Sequence, residues 1–126
     1  MPPTKQKVKE TDCQKEIIAF LERVGCYVWR NNSGVAKTGG RFVRYGKPGS
    51  SDIIGISPNG LFVAVEVKSN GEPLTLEKNK GEDSQEHFLR RIADKGGISI
   101  IAESVADVVR EYEKTRFLLP TKMKIS

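Results

Sequence analysis

An α/β fold, a single sheet with helices on its faces, is what the sequence predicts, and three observations predict it. Runs of β-branched and aromatic residues recur between 27 and 102, the strongest being Leu61-Phe62-Val63-Ala64-Val65-Glu66-Val67-Lys68. Apolar residues at helical spacing flank these runs near both ends of the chain. Clusters of Gly, Asn and Pro separate one run from the next. The resulting order is α-β-β-β-β-α-β-α in one domain over 11–113. At 126 residues the chain can bury a core without disulfides or a structural metal.

Residues 1–10 are polar and Lys-rich and read as a flexible basic arm. A helix begins near Thr11 or Asp12, either of which can cap its free N–H groups. Ile17, Leu21 and Val24 recur along it, Cys13 and Phe20 widen the stripe, and Gly25 ends it. Tyr27-Val28-Trp29-Arg30 is a strand, Asn31-Asn32-Ser33-Gly34 a loop, and Lys37-Thr38-Gly39-Gly40 a further flexible stretch. Arg41–Tyr45 is a second strand and Gly46-Lys47-Pro48-Gly49 a turn. The next strand, Ser51–Ile56, opens with an acid, Asp52. Ser57-Pro58-Asn59-Gly60 then signals a hairpin into the strong strand 61–68, whose apolar start on both faces predicts central burial. Ser69 to Glu82, rich in Gly, Glu and Lys, reads as a mobile loop.

Asp83 or Ser84 caps a second helix carrying Phe88, Leu89 and Ile92, and Gly96-Gly97 ends it. Ile98–Ala102 is a short buried strand. Ser104, with Asp107 three positions on, caps a last helix bearing Val105, Val108, Val109 and Tyr112. The tail 114–126 has weak periodicity, although Phe117-Leu118-Leu119 could dock on the core or on a second subunit.

Composition excludes several classes of function. The hydrophobic fraction of 37% and charged fraction of 29% are ordinary for a soluble protein. No apolar run approaches the roughly 20 residues that span a bilayer, and the N-terminus lacks a secretory core, so a cytoplasmic protein with no membrane partner is expected. Cys13 and Cys26 form no CxxC pair and read as buried, reduced thiols. His87 is the only histidine, which excludes a His-based zinc site and argues against a Ser-His-Asp triad.

The net charge is +5, but its distribution is more informative. No acid lies between Glu22 and Asp52, an interval holding Arg23, Arg30, Lys37, Arg41, Arg44 and Lys47. Tyr27, Trp29, Phe42 and Tyr45 are interleaved with them. Basic side chains beside aromatics suit a phosphate backbone with exposed bases. The alternative is a solvated positive face whose aromatics belong to the core.

A lone Glu-x-Lys arises often by chance, so context decides its weight. This one, Glu66-Val67-Lys68, is the only one in the chain and ends its most apolar strand. Alternation along a strand puts Glu66 and Lys68 on one face, with Cα atoms about 6.5–7 Å apart. Pairing Ile56 with Leu61 sets Asp52 opposite Val65 or Glu66. Two carboxylates and an ammonium at the end of an apolar strand pair are costly unless a ligand needs them. Mg²⁺ is such a ligand, taking one or two carboxylates plus water and phosphate oxygens. Asp52 and Glu66 would supply the carboxylates and the Val67 carbonyl a third oxygen. Lys68 would orient or deprotonate a water, or stabilise transition-state charge. The plainer alternative is an exposed Glu/Lys pair with Asp52 as a turn cap.

Gln85 lies one turn before Phe88 and Leu89 on the inward side of its helix, where it could hold a water or a phosphate oxygen; a partly exposed first-turn residue is the alternative. Glu16 borders the buried stripe of the first helix. It could serve a second metal or its waters, or be a solvated flank residue.

The series Glu16, Asn32-Ser33-Gly34, Gly49-Ser50-Ser51-Asp52, Glu66-Val67-Lys68 and Gln85 resembles the virus-type replication-repair nuclease (VRR-NUC) branch of the PD-(D/E)xK superfamily. The resemblance runs from Thr11 to Glu113. It implies a restriction-endonuclease-like core, a mixed β-sheet flanked by helices, with Mg²⁺ or Mn²⁺ held by Asp52 and Glu66. It also implies Lys68 and Gln85 in the catalytic centre and Glu16 near it. Ser51-Asp52 stands where the superfamily's name has Pro-Asp. Family members of this length resemble homodimers acting on branched DNA such as four-way junctions. Asn32, Ser33 and Ser51 then join Arg30, Lys37, Arg41, Arg44 and Lys47 as expected DNA contacts. The rival expectations are a binding module on the same fold without catalysis, and a restriction-type nuclease reading a short sequence.

Overall fold

The computed structural model describes residues 10–68 and 72–118. Helix α1 (Glu10–Arg23) leads into β1 (Tyr27–Arg30), β2 (Gly34–Thr38), β3 (Arg41–Tyr45), β4 (Ile53–Ile56) and β5 (Phe62–Val67). A single-turn helix α2 (Glu77–Lys80) and a 3-10 turn (Gly81–Asp83) precede α3 (Gln85–Asp94), β6 (Ile98–Ala102) and α4 (Val105–Leu118). The fold is mixed α/β, as expected, but its strands form two sheets rather than the single sheet predicted, and it has two elements more than the predicted order. Strand β2 forms where a loop is predicted, and α2 lies inside the stretch predicted to be a mobile loop. Helix α4 continues into the predicted tail as far as Leu118. The predicted arm at 1–9, the start of the 69–82 loop and the tail beyond Leu118 lie outside the described residues.

Four strands make the central sheet, in the order β1-β4-β5-β6, and β2 pairs only with β3 in a separate two-stranded ribbon. Strands β1, β4 and β5 are antiparallel neighbours, while β6 runs parallel to β5. The parallel pairing requires a crossover, and α2 and α3 supply it across one face. Ile56 pairs with Phe62 rather than Leu61, because Ser57 to Leu61 close the hairpin. The loop is sealed by Ser57 N–H donating to Leu61 O and by Leu61 N–H donating to Ser57 Oγ.

Period-two alternation divides the sheet's side chains between two cores. On one face Val28, Ile53, Val63, Val65, Val67, Ile98 and Ile100 pack against Cys13, Ile17 and Leu21 of α1 and Val108 and Tyr112 of α4. On the other, Ala64 and Ile54 meet Phe88, Leu89 and Ile92 of α3, with Leu74 beside them. Cys13 and Cys26 are buried and form no disulfide, as predicted. Among the described residues no helix is long and apolar enough to cross a membrane.

Helix α3 covers only the β5–β6 side of its face. Tyr27 and Trp29 of β1 therefore remain exposed, together with Ile56 and Phe62. Phe42 and Tyr45 on the ribbon are exposed as well. None of the four interleaved aromatics belongs to the core, so that alternative reading of them fails.

Candidate active site

The site grows out of the end of the sheet at which β5 finishes and β4 begins. Ile53 pairs with Val65, so the register continued by one residue sets Asp52 across from Glu66. Both then share the α3 face with Ala64, and Lys68 follows on that face. The Asp52 side chain is anchored by its Oδ2, which accepts the Val67 N–H at 2.9 Å. Its own backbone is held from the other side, where Asn31 N–H donates to Asp52 O at 2.8 Å. Asp52 is thus clamped between the ends of β1 and β5.

Glu66 is only 1% exposed, the most deeply buried acid of the described chain. A carboxylate so placed needs charged or hydrogen-bonding neighbours. Gln85 Nε2 donates to Glu66 Oε1 at 2.9 Å, and Lys68 Nζ stands 3.9 Å from the same oxygen. The Lys68 side chain is itself largely buried. Sharing with solvent is small for both partners, so the pair is far less screened than a surface bridge.

Gln85 can reach Glu66 because it opens α3. Ser84 caps that helix, its Oγ accepting the His87 N–H at 2.9 Å, and this points the first turn at the end of β5. The other end of the Gln85 amide, Oε1, accepts the Thr75 N–H at 3.0 Å, while Glu86 N–H donates to Thr75 O. Gln85 therefore straps the segment before α2 to the buried acid. Gln85 is half-buried in the first turn of α3, as the alternative reading had it, but its side chain turns inward to Glu66.

Whether a divalent cation suits these groups can be judged from the donor set. Among the described residues no cluster of three or more His, Cys, Asp or Glu side chains is gathered tightly enough to enclose a metal. Two hard carboxylates on one face, beside an ammonium, remain. That set fits an ion that takes one or two carboxylates and completes its shell with water and phosphate oxygens, as Mg²⁺ does. It does not fit a thiolate or imidazole metal, since both thiols and the single His lie elsewhere.

The remaining sequence-predicted residues fall into four groups. Lys37, Arg41, Arg44 and Lys47 are exposed, as are Asn32 and Ser33, along the ribbon and its root. Arg30 is partly buried and turned toward α1, where its Nη2 donates to Thr11 O at 2.9 Å. Ser51 is fully buried and its carbonyl accepts from Asn31 Nδ2, so its side chain offers no surface for DNA to touch. Glu16 is exposed on α1, the helix packed on the opposite face of the sheet from Glu66.

Sequence reasoning gave no structural role to two parts of the site. Asn31 holds Ser50 Oγ and Ser51 O through Nδ2, tying the end of β1 to the approach to Asp52. Gly49 (φ +78) passes so close to α3 that a Cβ there would lie 2.7 Å from Ser84 O and nearer still to Asp83 O. An Asn at a strand end and a Gly three residues before an acid were the available signals. No known family model matches the chain, and no curated protein matches it either.

Proposed function

We propose that the chain is a metal-dependent, structure-selective DNA endonuclease of the VRR-NUC type, hydrolysing phosphodiester bonds at branched DNA such as four-way junctions. One observation carries the reading: Asp52, Glu66, Lys68 and Gln85 come together on one face at one end of the sheet, with Glu66 buried. A structural ion pair needs no second carboxylate beside it and no glutamine strap.

In this reading Asp52 and Glu66 hold Mg²⁺ or Mn²⁺, with the Val67 carbonyl as a further oxygen. A bound divalent cation supplies charge neutralisation at the scissile phosphate. Lys68, fixed by Glu66 and largely shielded from solvent, presents its ammonium where negative charge develops on the phosphate. Gln85 keeps the Glu66 carboxylate in one orientation, which conserves the geometry of the pair. The basic stretch from 30 to 47 supplies the attraction for the DNA backbone. A homodimer suits a two-fold symmetric junction, because two cuts need two sites.

The test is a panel of labelled linear duplex, flap and four-way junction DNA, incubated with Mg²⁺, Mn²⁺ or chelator. Wild type is expected to cut the junction only with the ion present. Lys68→Ala is expected to lose about 10² or more in single-turnover rate while keeping its affinity. Intact DNA in every lane, or cutting indifferent to chelator, would overturn the assignment. Affinity unaltered by Mg²⁺ and by Asp52→Ala, without cutting, would identify a binding module instead.

A further inference from the structure

The β2–β3 ribbon plays no part in the catalytic cluster, yet its construction is specific. All five residues of each strand are exposed. From the register, Lys37, Phe42 and Arg44 share one face, and Arg41 and Val43 the other. A two-stranded ribbon with neither face covered is marginal by itself. Its largest apolar side chain, Phe42, is 76% exposed, with Lys37 Nζ 5.9 Å from the ring centroid. Among the described residues, no other element covers either face of the ribbon.

Charge indicates what that partner is. The interval between Glu22 and Asp52 contains no acid, and Lys37, Arg41, Arg44 and Lys47 all lie on the ribbon or its root. The complementary surface is a polyanion. Dimensions narrow it further. Five residues per strand span about 17 Å, and two strands lie about 4.8 Å apart, a body that a major groove about 12 Å wide admits together with its side chains. Position narrows it again. The ribbon leaves the sheet beside Asp52, its two legs tied by Asn31 N–H to Asp52 O and by Asn31 Nδ2 to Ser50 Oγ. A groove of about 450 Å³ at its root brings Lys80 and Asp83 beside Arg44.

We propose that the β2–β3 ribbon inserts into the major groove of the duplex arm next to the scissile phosphate. Lys37, Arg41 and Arg44 meet the flanking phosphates, and Phe42 lies against the base edges. The proposal rests on the nuclease reading for its phosphate, but the ribbon's contact with duplex can be measured without cleavage.

The experiment compares wild type with K37Q/R41Q/R44Q and with Phe42→Ala, all full-length, in Ca²⁺ or chelator. Binding to a labelled duplex is followed by anisotropy across a salt series, and dimethyl sulfate, which methylates guanine N7 in the major groove, reports the footprint. All four positions are exposed, so the variants should fold; circular dichroism checks this. The triple variant should lose about 10² or more in affinity at moderate salt, and the slope of log K against log salt should flatten by about 2.7, three phosphates at 0.9 each. Wild type should protect guanine N7 over about half a helical turn, and Phe42→Ala should lessen that protection.

Wild-type affinity and slope in the triple variant overturn the proposal. So does tighter binding to oligo-dT than to duplex, which would make Phe42 a stacking platform for single strands. A dimer in sedimentation that the ribbon variants dissolve also overturns it, because the ribbon's partner would then be a second copy. Ribbon-dependent duplex binding with no cleavage under any ion overturns the nuclease reading and leaves the ribbon's groove contact standing. Normal cleavage by the triple variant does the reverse.

Discussion

Glu66 presents a conflict between stability and function that a single atom can resolve. Its carboxylate is buried at 1% exposure, where desolvation opposes the charge, and Lys68 and Gln85 compensate at one oxygen. Glu66→Gln keeps the shape and removes the charge. In the absence of divalent ion the variant should melt at or above the wild-type temperature. In the presence of Mn²⁺ at ten times its Kd, wild type should gain about 1.4 kcal/mol and the variant nothing. Thermal unfolding with and without Mn²⁺ measures both effects. A variant that still gains the full increment would remove Glu66 from the ion's ligands. Gln85→Ala should cost about 1–3 kcal/mol, because it strips a hydrogen bond from a buried acid and frees the Thr75 N–H. Urea unfolding would show it as a lower midpoint with an unchanged m-value. Burial also pushes the Cys26 thiol up, against the Tyr112 hydroxyl that lowers it. Cys26 should therefore resist iodoacetamide at pH 8 in the native protein and react in urea.

Among the elements, α3 and α4 depend most clearly on their first turns. In α4, Ser104 Oγ accepts the Asp107 N–H and Asp107 Oδ2 accepts the Glu103 N–H, a reciprocal cap displaced by one residue from the usual box. The Glu103 N–H holds the Asp107 carboxyl below the usual carboxylate range, outweighing the burial that pushes it up, and Arg110 adds to the effect. A folded pKa below the unfolded one stabilises at neutral pH, and the contribution is lost as pH falls below about 4. Asp107→Ala should thus cost about 0.5–1 kcal/mol at pH 7 and much less at pH 3, a pair of denaturant titrations. For α3 the sensitive contact is with Gly49. Gly49→Ala meets both a left-handed backbone, worth about 1–2 kcal/mol, and the Asp83 and Ser84 carbonyls. Because Gly49 lies between the ribbon and Asp52, this variant should lose DNA affinity as well as stability.

On the scale of the whole molecule, the proposed site lies at one end of the sheet and on one face. Running across that face, the exposed row Tyr27, Ile56 and Phe62 gives way to Trp29, Ile54 and Ala64, and then to Asp52 and Glu66. Tyr27, at 70% exposure, and Trp29 lie in ring contact 5.4 Å apart. An apolar band beside a polar site is a surface that association would cover. The proposed homodimer should therefore pair through this band and leave the ribbon free. Sedimentation equilibrium should give twice the chain mass for wild type and the single mass for Tyr27→Glu/Ile56→Glu. A double variant that remains dimeric would place the interface elsewhere.

Periodicity and composition were enough to identify much of this. The alternation of Leu61–Lys68 by itself puts Glu66 and Lys68 on one face, and the spacing of Ile17 and Leu21, or of Phe88 and Leu89, reveals which helix sides are buried, because side-chain direction follows local backbone geometry. Strand β2 escaped notice because Gly34-Val35-Ala36-Lys37-Thr38 has little strand preference of its own and becomes a strand only by pairing with Arg41–Tyr45. The β4–β5 register differed by one residue from the expected pairing, since loop closure at Ser57 and Leu61 is decided by backbone hydrogen bonds that local pattern does not encode. Residue types and their local order thus determined which groups could do chemistry. Tertiary packing alone decided that Gln85 meets Glu66, that Ser51 is buried and that the aromatics stay in solvent, because each depends on elements distant in sequence arriving at the same place.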